Sequence, residues 1–104
     1  MRKPSAPDDI LVTLLSRAIE IGADELEVQY QDRQDWVCAL KGRSGLSIAR
    51  FPSNSPESVA LRRQLMAIGK RGKTIETCEG ACRVTVSTYE DFGEPAFRAR
   101  LRKA

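Results

Sequence analysis

Four arginines near the end of the chain are the residues best suited to bind another molecule: Arg83, Arg98, Arg100 and Arg102. Successive side chains of a strand point to opposite faces, so we expect Arg98, Arg100 and Arg102 to share one face. We call these three the arginine comb, and expect Arg83 beside it on the preceding strand. Guanidinium groups bind carboxylates and phosphates, so the comb can serve an acidic protein, a nucleic acid or a phosphate group. The alternative is a solvated outer face that Glu25 and Glu27 partly neutralise from a neighbouring strand.

A second candidate is the segment Ala67–Thr74, which fits a relaxed phosphate-loop pattern with alanine in place of the first glycine. In a functional phosphate loop a strand precedes and a helix follows, so that helix N-terminal amides face the phosphates. Here the predicted order is reversed. We therefore predict a helix end with solvated lysines, and no specific ATP binding through Lys73.

Cys78 and Cys82 flank a predicted hairpin, where oxidation could join them. Neither has a histidine or a helix N-terminus nearby to activate it, so free structural thiols are favoured. Three cysteines without any histidine argue against a disulfide framework and a zinc site. The acidic residues of the 90–94 turn have no enclosing pocket for paired-carboxylate catalysis. We therefore predict no catalytic residue, no cofactor, no metal site and no enzymatic activity.

Two helices and six strands are expected to position the arginines. The first helix starts at Asp8 or Asp9 and ends at Gly22, and the second starts with Ser55 as its N-cap and Pro56 in its first turn. Alternation and turn residues predict strands at 25–30, 36–41, 46–51, 74–78, 82–89 and 96–102. The polar segment 31–35 is expected to be a turn.

The element order predicts an α+β fold made of two αβββ halves that share one core, with two helices packed on a mainly antiparallel sheet. The repeated spacing from Ala18 to Leu26 and from Ala67 to Ile75 favours this duplication. The core is predicted to contain the following residues: Leu14, Leu15, Leu26, Val28, Leu61, Leu65, Val84, Val86, Phe97 and Leu101.

Composition indicates one globular domain at residues 8–104 after a disordered tail at 1–7, which contains two prolines and nothing to bury. The net charge is +3 and the pI about 9.0, which permits an acidic partner and makes a dedicated nucleic-acid binder less expected. No apolar run approaches the length needed to span a bilayer, so no membrane insertion is expected. We expect a cytoplasmic location.

Two segments resemble the domain that precedes the motor core in type II secretion and type IV pilus assembly ATPases. Residues 14–28, LLSRAIEIGADELEV, are similar to that family's "LLxxAIxxGASDIHIE". Residues 84–88, Gly93-Glu94 and residues 97–101 are similar to its closing "RVSTLPT…GEkvVLRLL". The likeness extends over about residues 11–102 and is specific at its two ends. It implies helix–strand units with a three-stranded rhythm.

The departures from this family concern its functional residues. The "RxRIDG" turn, whose arginines help a neighbouring subunit's ATP site, is represented here by VCALKG at residues 37–42, without either arginine. Thr85 and Glu27 replace the arginine of "RVST" and the histidine of "SDIHIE". The resemblance thus implies a stand-alone, non-catalytic interaction module that docks on another protein, one of a secretion or pilus assembly system. The alternative is a small basic sheet domain that binds nucleic acid or an anionic nucleotide.

Overall fold

The computed structural model describes residues 10–91 and 93–104, so the predicted tail at 1–7 and the predicted caps Asp8 and Asp9 lie outside the described residues. The elements follow the order helix, three strands, helix, three strands. Their bounds are α1 Ile10–Glu20, β1 Glu25–Gln31, β2 Gln34–Lys41, β3 Ser44–Pro52, α2 Pro56–Ile68, β4 Lys73–Thr77, β5 Gly80–Asp91 and β6 Glu94–Lys103.

The end of α1 and the start of α2 lie where their sequences indicate. After α1, Gly22 adopts a φ of 83° and donates to the Ile19 carbonyl, while the Ala23 amide donates to the Ala18 carbonyl, both at 2.9 Å. These two bonds form the Schellman arrangement, in which a left-handed residue closes the helix. At the start of α2, Ser55 is the N-cap and its hydroxyl accepts from the Ser58 amide at 3.2 Å.

The six strands form one antiparallel sheet in the order β3-β2-β1-β6-β5-β4. Each half is a three-stranded meander, and the halves join where β1 pairs with β6, with Leu26 opposite Ala99. The equivalent strands of the two halves therefore occupy different places, because β1 is central and β4 is an edge. The α+β prediction of two αβββ halves is confirmed.

Both helices pack on one face of the sheet and build a single core with it. All ten predicted core residues are buried, and residues of both halves belong to the same cluster. The inward side chains alternate along β5 and β6, as a half-buried antiparallel pair requires. The opposite face of the sheet carries no helix among the described residues, and we call it the outer face.

Several turns are tighter than predicted. The first hairpin turns at Asp32 and Arg33, whose φ values are 55° and 65°, and β2 begins at Gln34. Positive φ at both turn residues is the type I′ geometry that suits a two-residue hairpin. The turn therefore comprises two residues, and the expectation of a turn across 31–35 was wrong. The sequence shows no sign of this short turn because Asp-Arg lacks the glycine that usually marks one.

Asp35, which the sequence places in that turn, is instead 3% exposed on the helix-facing side of β2. Its carboxylate accepts a hydrogen bond from the Ser58 hydroxyl and another from the Arg62 guanidinium, both on α2. Arg62 also donates to the Ser53 carbonyl at 3.0 Å. This network ties the start of α2 to β2 through paired polar groups, which is how a buried charge is accommodated.

Candidate functional site

The structure brings the four predicted binding arginines together on the outer face. The arginine comb lies along β6 with exposed side chains, and its members alternate with buried Phe97, Ala99 and Leu101. Arg83 lies on β5 directly opposite Arg102. The period of two in the sequence therefore places these groups on one face, as expected.

Two glutamates on β1 neutralise part of the comb. The strand register puts Glu27 opposite Arg98 and Glu25 opposite Arg100. Arg98 Nη2 lies 2.8 Å from Glu27 Oε2, whereas Arg100 Nη2 lies 3.6 Å from Glu25 Oε2. Arg98 is therefore held by a short, charge-assisted hydrogen bond, and Arg100 by a looser ion pair. The predicted neutralisation from a neighbouring strand is present at these two positions.

Tyr89 completes the network around Arg98. The Arg98 guanidinium lies over the Tyr89 ring at 5.4 Å from its centroid, and the Tyr89 hydroxyl donates to Glu27 at 2.8 Å. The hydrogen bond to Glu27, reinforced by that carboxylate's charge, raises the pKa of Arg98. Burial, followed by the same carboxylate, raises the pKa of Tyr89. The network fixes Arg98 in one orientation, so Arg98 is less free than Arg100 or Arg102 to move toward a docking protein.

Positive charge is least compensated at the other end of the comb. Arg83 and Arg102 are like charges directly opposite each other, an arrangement that destabilises a sheet unless a counter-ion approaches. Arg83 donates to the Arg71 carbonyl at 2.8 Å, which holds its head group but does not neutralise it. Among residues 10–91 and 93–104, no carboxylate forms an ion pair with either arginine. This end of the outer face can therefore accept an anionic group.

Lys70 is a cation near the comb that the pattern of alternation did not identify. It lies in the loop between α2 and β4, and it lines a shallow depression with Thr85, Ser87, Arg98 and Arg100. The sequence assigned Lys70 only to a solvated helix end. The tertiary contacts that bring its loop beside β5 have no signature in the local sequence.

The other half of the outer face is more apolar. The Arg50 guanidinium on β3 lies over the Trp36 ring of β2 at 4.7 Å from its centroid, a cation–π contact. Trp36, Cys38 and Leu40 are half-buried along β2. Burial, with a smaller effect of the Glu27 charge, raises the pKa of Cys38. This half thus adds apolar contact area next to the charged half without adding a reactive group.

The remaining candidate residues stay apart from the comb. Cys78 is exposed and Cys82 is buried, both as free thiols, and burial raises the pKa of Cys82. The segment Ala67–Thr74 spans the end of α2 and the start of β4, in the predicted order, and Lys73 lines a groove beside α1 and not the depression. Within the described residues, no cluster of three or more metal-ligating side chains is present.

Neither helix is long and apolar enough to cross a membrane, as far as the described residues extend.

Comparison of the chain with models of known protein families gives no match, and comparison with curated proteins gives none either.

Proposed function

We propose that this chain is a non-catalytic protein-interaction module, related to the domain that precedes the motor core in type II secretion and type IV pilus assembly ATPases. The proposal rests on the likeness of residues 14–28 and 84–101 to that domain. Each helix is followed by a three-stranded meander, and this agrees with the three-stranded rhythm that the likeness implies. A partner from a secretion or pilus assembly system and a cytoplasmic location are parts of the same proposal.

The docking surface that the geometry supports best is the outer face of β5 and β6. The observation that carries this choice is the positive charge of Arg83 and Arg102, which lie directly opposite each other and form no ion pair with any carboxylate of the described residues. An acidic protein surface would supply carboxylates as bidentate acceptors and relieve the repulsion between the two guanidinium groups. Arg100, whose ion pair with Glu25 is loose, can exchange that contact for one with the partner.

Binding of nucleic acid through the comb is the second candidate, and the geometry supports it less. A single-strand platform needs aromatic rings on which successive bases stack. Tyr89 is the aromatic residue beside the comb, and its ring already stacks with Arg98 while its hydroxyl is bonded to Glu27. Because Glu27 and Glu25 pair with Arg98 and Arg100, the comb does not offer the continuous row of unpaired charges that a nucleic-acid backbone would follow.

The test compares two doubly substituted variants that lose the same charge on opposite faces. Arg100→Gln/Arg102→Gln alters the comb, whereas Arg17→Gln/Arg63→Gln alters exposed positions of the helix layer. Wild-type and variant proteins are immobilised, and bound proteins from cells that contain this chain are identified by mass spectrometry. Fluorescence anisotropy with a labelled single-stranded oligonucleotide is measured in parallel.

The proposal predicts one protein that is retained by wild type and by the helix-layer variant and is lost by the comb variant. It also predicts no oligonucleotide binding at physiological salt. Oligonucleotide binding that falls steeply with salt and depends on the comb would favour the second candidate instead. Equal retention of every protein by the two variants would overturn the assignment of the docking surface.

A further inference from the structure

The depression beside the comb is lined by cations, hydroxyl groups and the apolar Val86, and no acidic side chain of the described residues lines it. Its polar side chains come from three elements: Lys70 from the α2–β4 loop, Thr85 and Ser87 from β5, and Arg98 and Arg100 from β6. Its volume is about 340 Å³. We propose that this depression binds the dianionic phosphate group of a phosphate monoester.

The strand register sets the hydroxyl groups beside the guanidinium groups. On the outer face, Thr85 lies directly opposite Arg100, and Ser87 lies directly opposite Arg98. Two rows, each with one hydroxyl and one guanidinium group, therefore run side by side across β5 and β6. A phosphate group needs several donors around a small volume, and hydroxyl and guanidinium groups both supply them.

Lys70 reaches the depression from the α2–β4 loop, which packs tightly against β5. The Val86 amide donates to the Gly69 carbonyl at 2.9 Å, and Arg83 donates to the Arg71 carbonyl at 2.8 Å. Gly72 has a φ of 81°, and a Cβ there would lie 2.8 Å from the Val84 carbonyl oxygen. Only glycine allows so close an approach, so the loop position is built into the chain.

The two glutamates on the far side of β6 orient the arginines without filling the depression. Glu27 and Glu25 contact Arg98 and Arg100 from β1, and neither glutamate lines the depression. Three cations and two carboxylates leave one net positive charge, which Lys70 supplies at the loop side. A dianion is therefore attracted, and because the site is open to water we expect weak binding, with a Kd of about 1 mM.

This site differs from the phosphate-loop pattern that the segment Ala67–Thr74 resembles. In that pattern the lysine would be Lys73, whereas here Lys73 lines a separate groove on the other side of the loop. The proposed site shares Arg98 and Arg100 with the docking surface, but Lys70 belongs only to the depression and Arg102 only to the docking surface, so Lys70→Gln and Arg102→Gln test the two proposals separately. Its failure would leave the docking proposal intact.

The experiment titrates the 15N-labelled protein with inorganic phosphate, O-phosphoserine and a nucleoside monophosphate, with ionic strength held constant by sodium chloride. Chemical shifts of backbone amides are followed for Lys70, Thr85 and Ser87. Lys70→Gln removes a charge inside the depression, and Arg102→Gln removes the same charge from the same face outside it. Both side chains are exposed, and the remaining spectrum reports whether each variant is folded.

We expect saturable shifts confined to the loop and to the facing parts of β5 and β6. Lys70→Gln should weaken the binding of all three probes at least fivefold, and Arg102→Gln should weaken it less than twofold. Both esters should bind at least as tightly as inorganic phosphate, because the open depression leaves room for the ester group. Equal losses in the two variants, binding of inorganic phosphate without either ester, or linear shifts without saturation would each overturn the proposal.

Discussion

Replacement of the buried Asp35 by alanine should destabilise the protein strongly, and much more than replacement of an exposed carboxylate. The carboxylate is buried on β2 and accepts hydrogen bonds from Ser58 and Arg62 of α2. Its side chain is 4% exposed, whereas that of Arg62 is 29% exposed. The two partners will therefore respond differently when the carboxylate is removed.

Ser58 is completely buried, so its hydroxyl would lose its acceptor where water cannot replace it. A buried polar group left without a partner costs about 1–3 kcal/mol. Removal of one partner from a buried ion pair costs about 3–5 kcal/mol, and the partial exposure of Arg62 places the present pair at or below the lower limit. We therefore expect Asp35→Ala to lower the free energy of unfolding by about 3 kcal/mol, which is a large part of the roughly 5–15 kcal/mol that stabilises a typical domain.

The assay is equilibrium unfolding in urea, followed by the fluorescence of Trp36, which is the single tryptophan and adjoins Asp35. Asp24→Ala, which removes an exposed carboxylate, is the matched control and should change stability by less than about 0.5 kcal/mol. A double-mutant cycle with Ser58→Ala should show a coupling of about 1 kcal/mol. If Asp35→Ala costs no more than the control, or if the cycle shows no coupling, the buried carboxylate does not stabilise the contact between β2 and α2.

Three further predictions concern the core, the thiols and the phosphate-loop pattern. Leu65 is fully buried between helix and sheet, so Leu65→Ala should lower the free energy of unfolding, measured by urea denaturation, by about 2–5 kcal/mol. A loss below about 0.5 kcal/mol would contradict the assigned helix face. Burial raises the pKa of Cys82 above its ordinary 9.0, so its contribution to stability is complete below pH 9 and is lost as the pH rises through the folded-state pKa. Urea unfolding should accordingly show that Cys82→Ala loses less stability than wild type above pH 9, and parallel curves would contradict this. Calorimetric titration with Mg-ATP should detect no specific binding, and micromolar affinity that disappears in Lys73→Ala would show that the phosphate-loop pattern is functional.

The strands and the core could be predicted because their signals are local. Alternation of apolar and charged residues places Val84, Val86, Phe97 and Leu101 inward, and every one of them is buried. The cap and proline at the start of α2 likewise act within one turn of helix. Such features depend on neighbours in sequence, so the sequence alone is sufficient to place them.

The features that were missed depend on partners distant in sequence. Asp35 looks like a turn residue until α2 brings Ser58 and Arg62 over it, across separations of 23 and 27 residues. The strand order, with β1 beside β6, is equally non-local.

The same limit applies to the candidate site. Alternation treats the three arginines of the comb as equivalent, whereas the pairing of β1 with β6 holds Arg98 firmly, Arg100 loosely and leaves Arg102 without an ion pair among the described residues. These differences decide which arginines can bind a partner. They arise from the register between the two halves, which no local pattern encodes.

We propose that the outer face of β5 and β6 docks on an acidic protein, and calorimetric titration with a protein retained in the mass-spectrometry experiment measures this docking. We expect Arg100→Gln/Arg102→Gln to weaken the affinity about tenfold or more, equivalent to about 1.4 kcal/mol, with a shallower dependence on salt. Arg17→Gln/Arg63→Gln, with the same loss of charge on the helix layer, should change the affinity less than twofold. Equal affinities of wild type and the comb variant, or a larger loss in the helix-layer variant, would show that the outer face of β5 and β6 is not the docking surface.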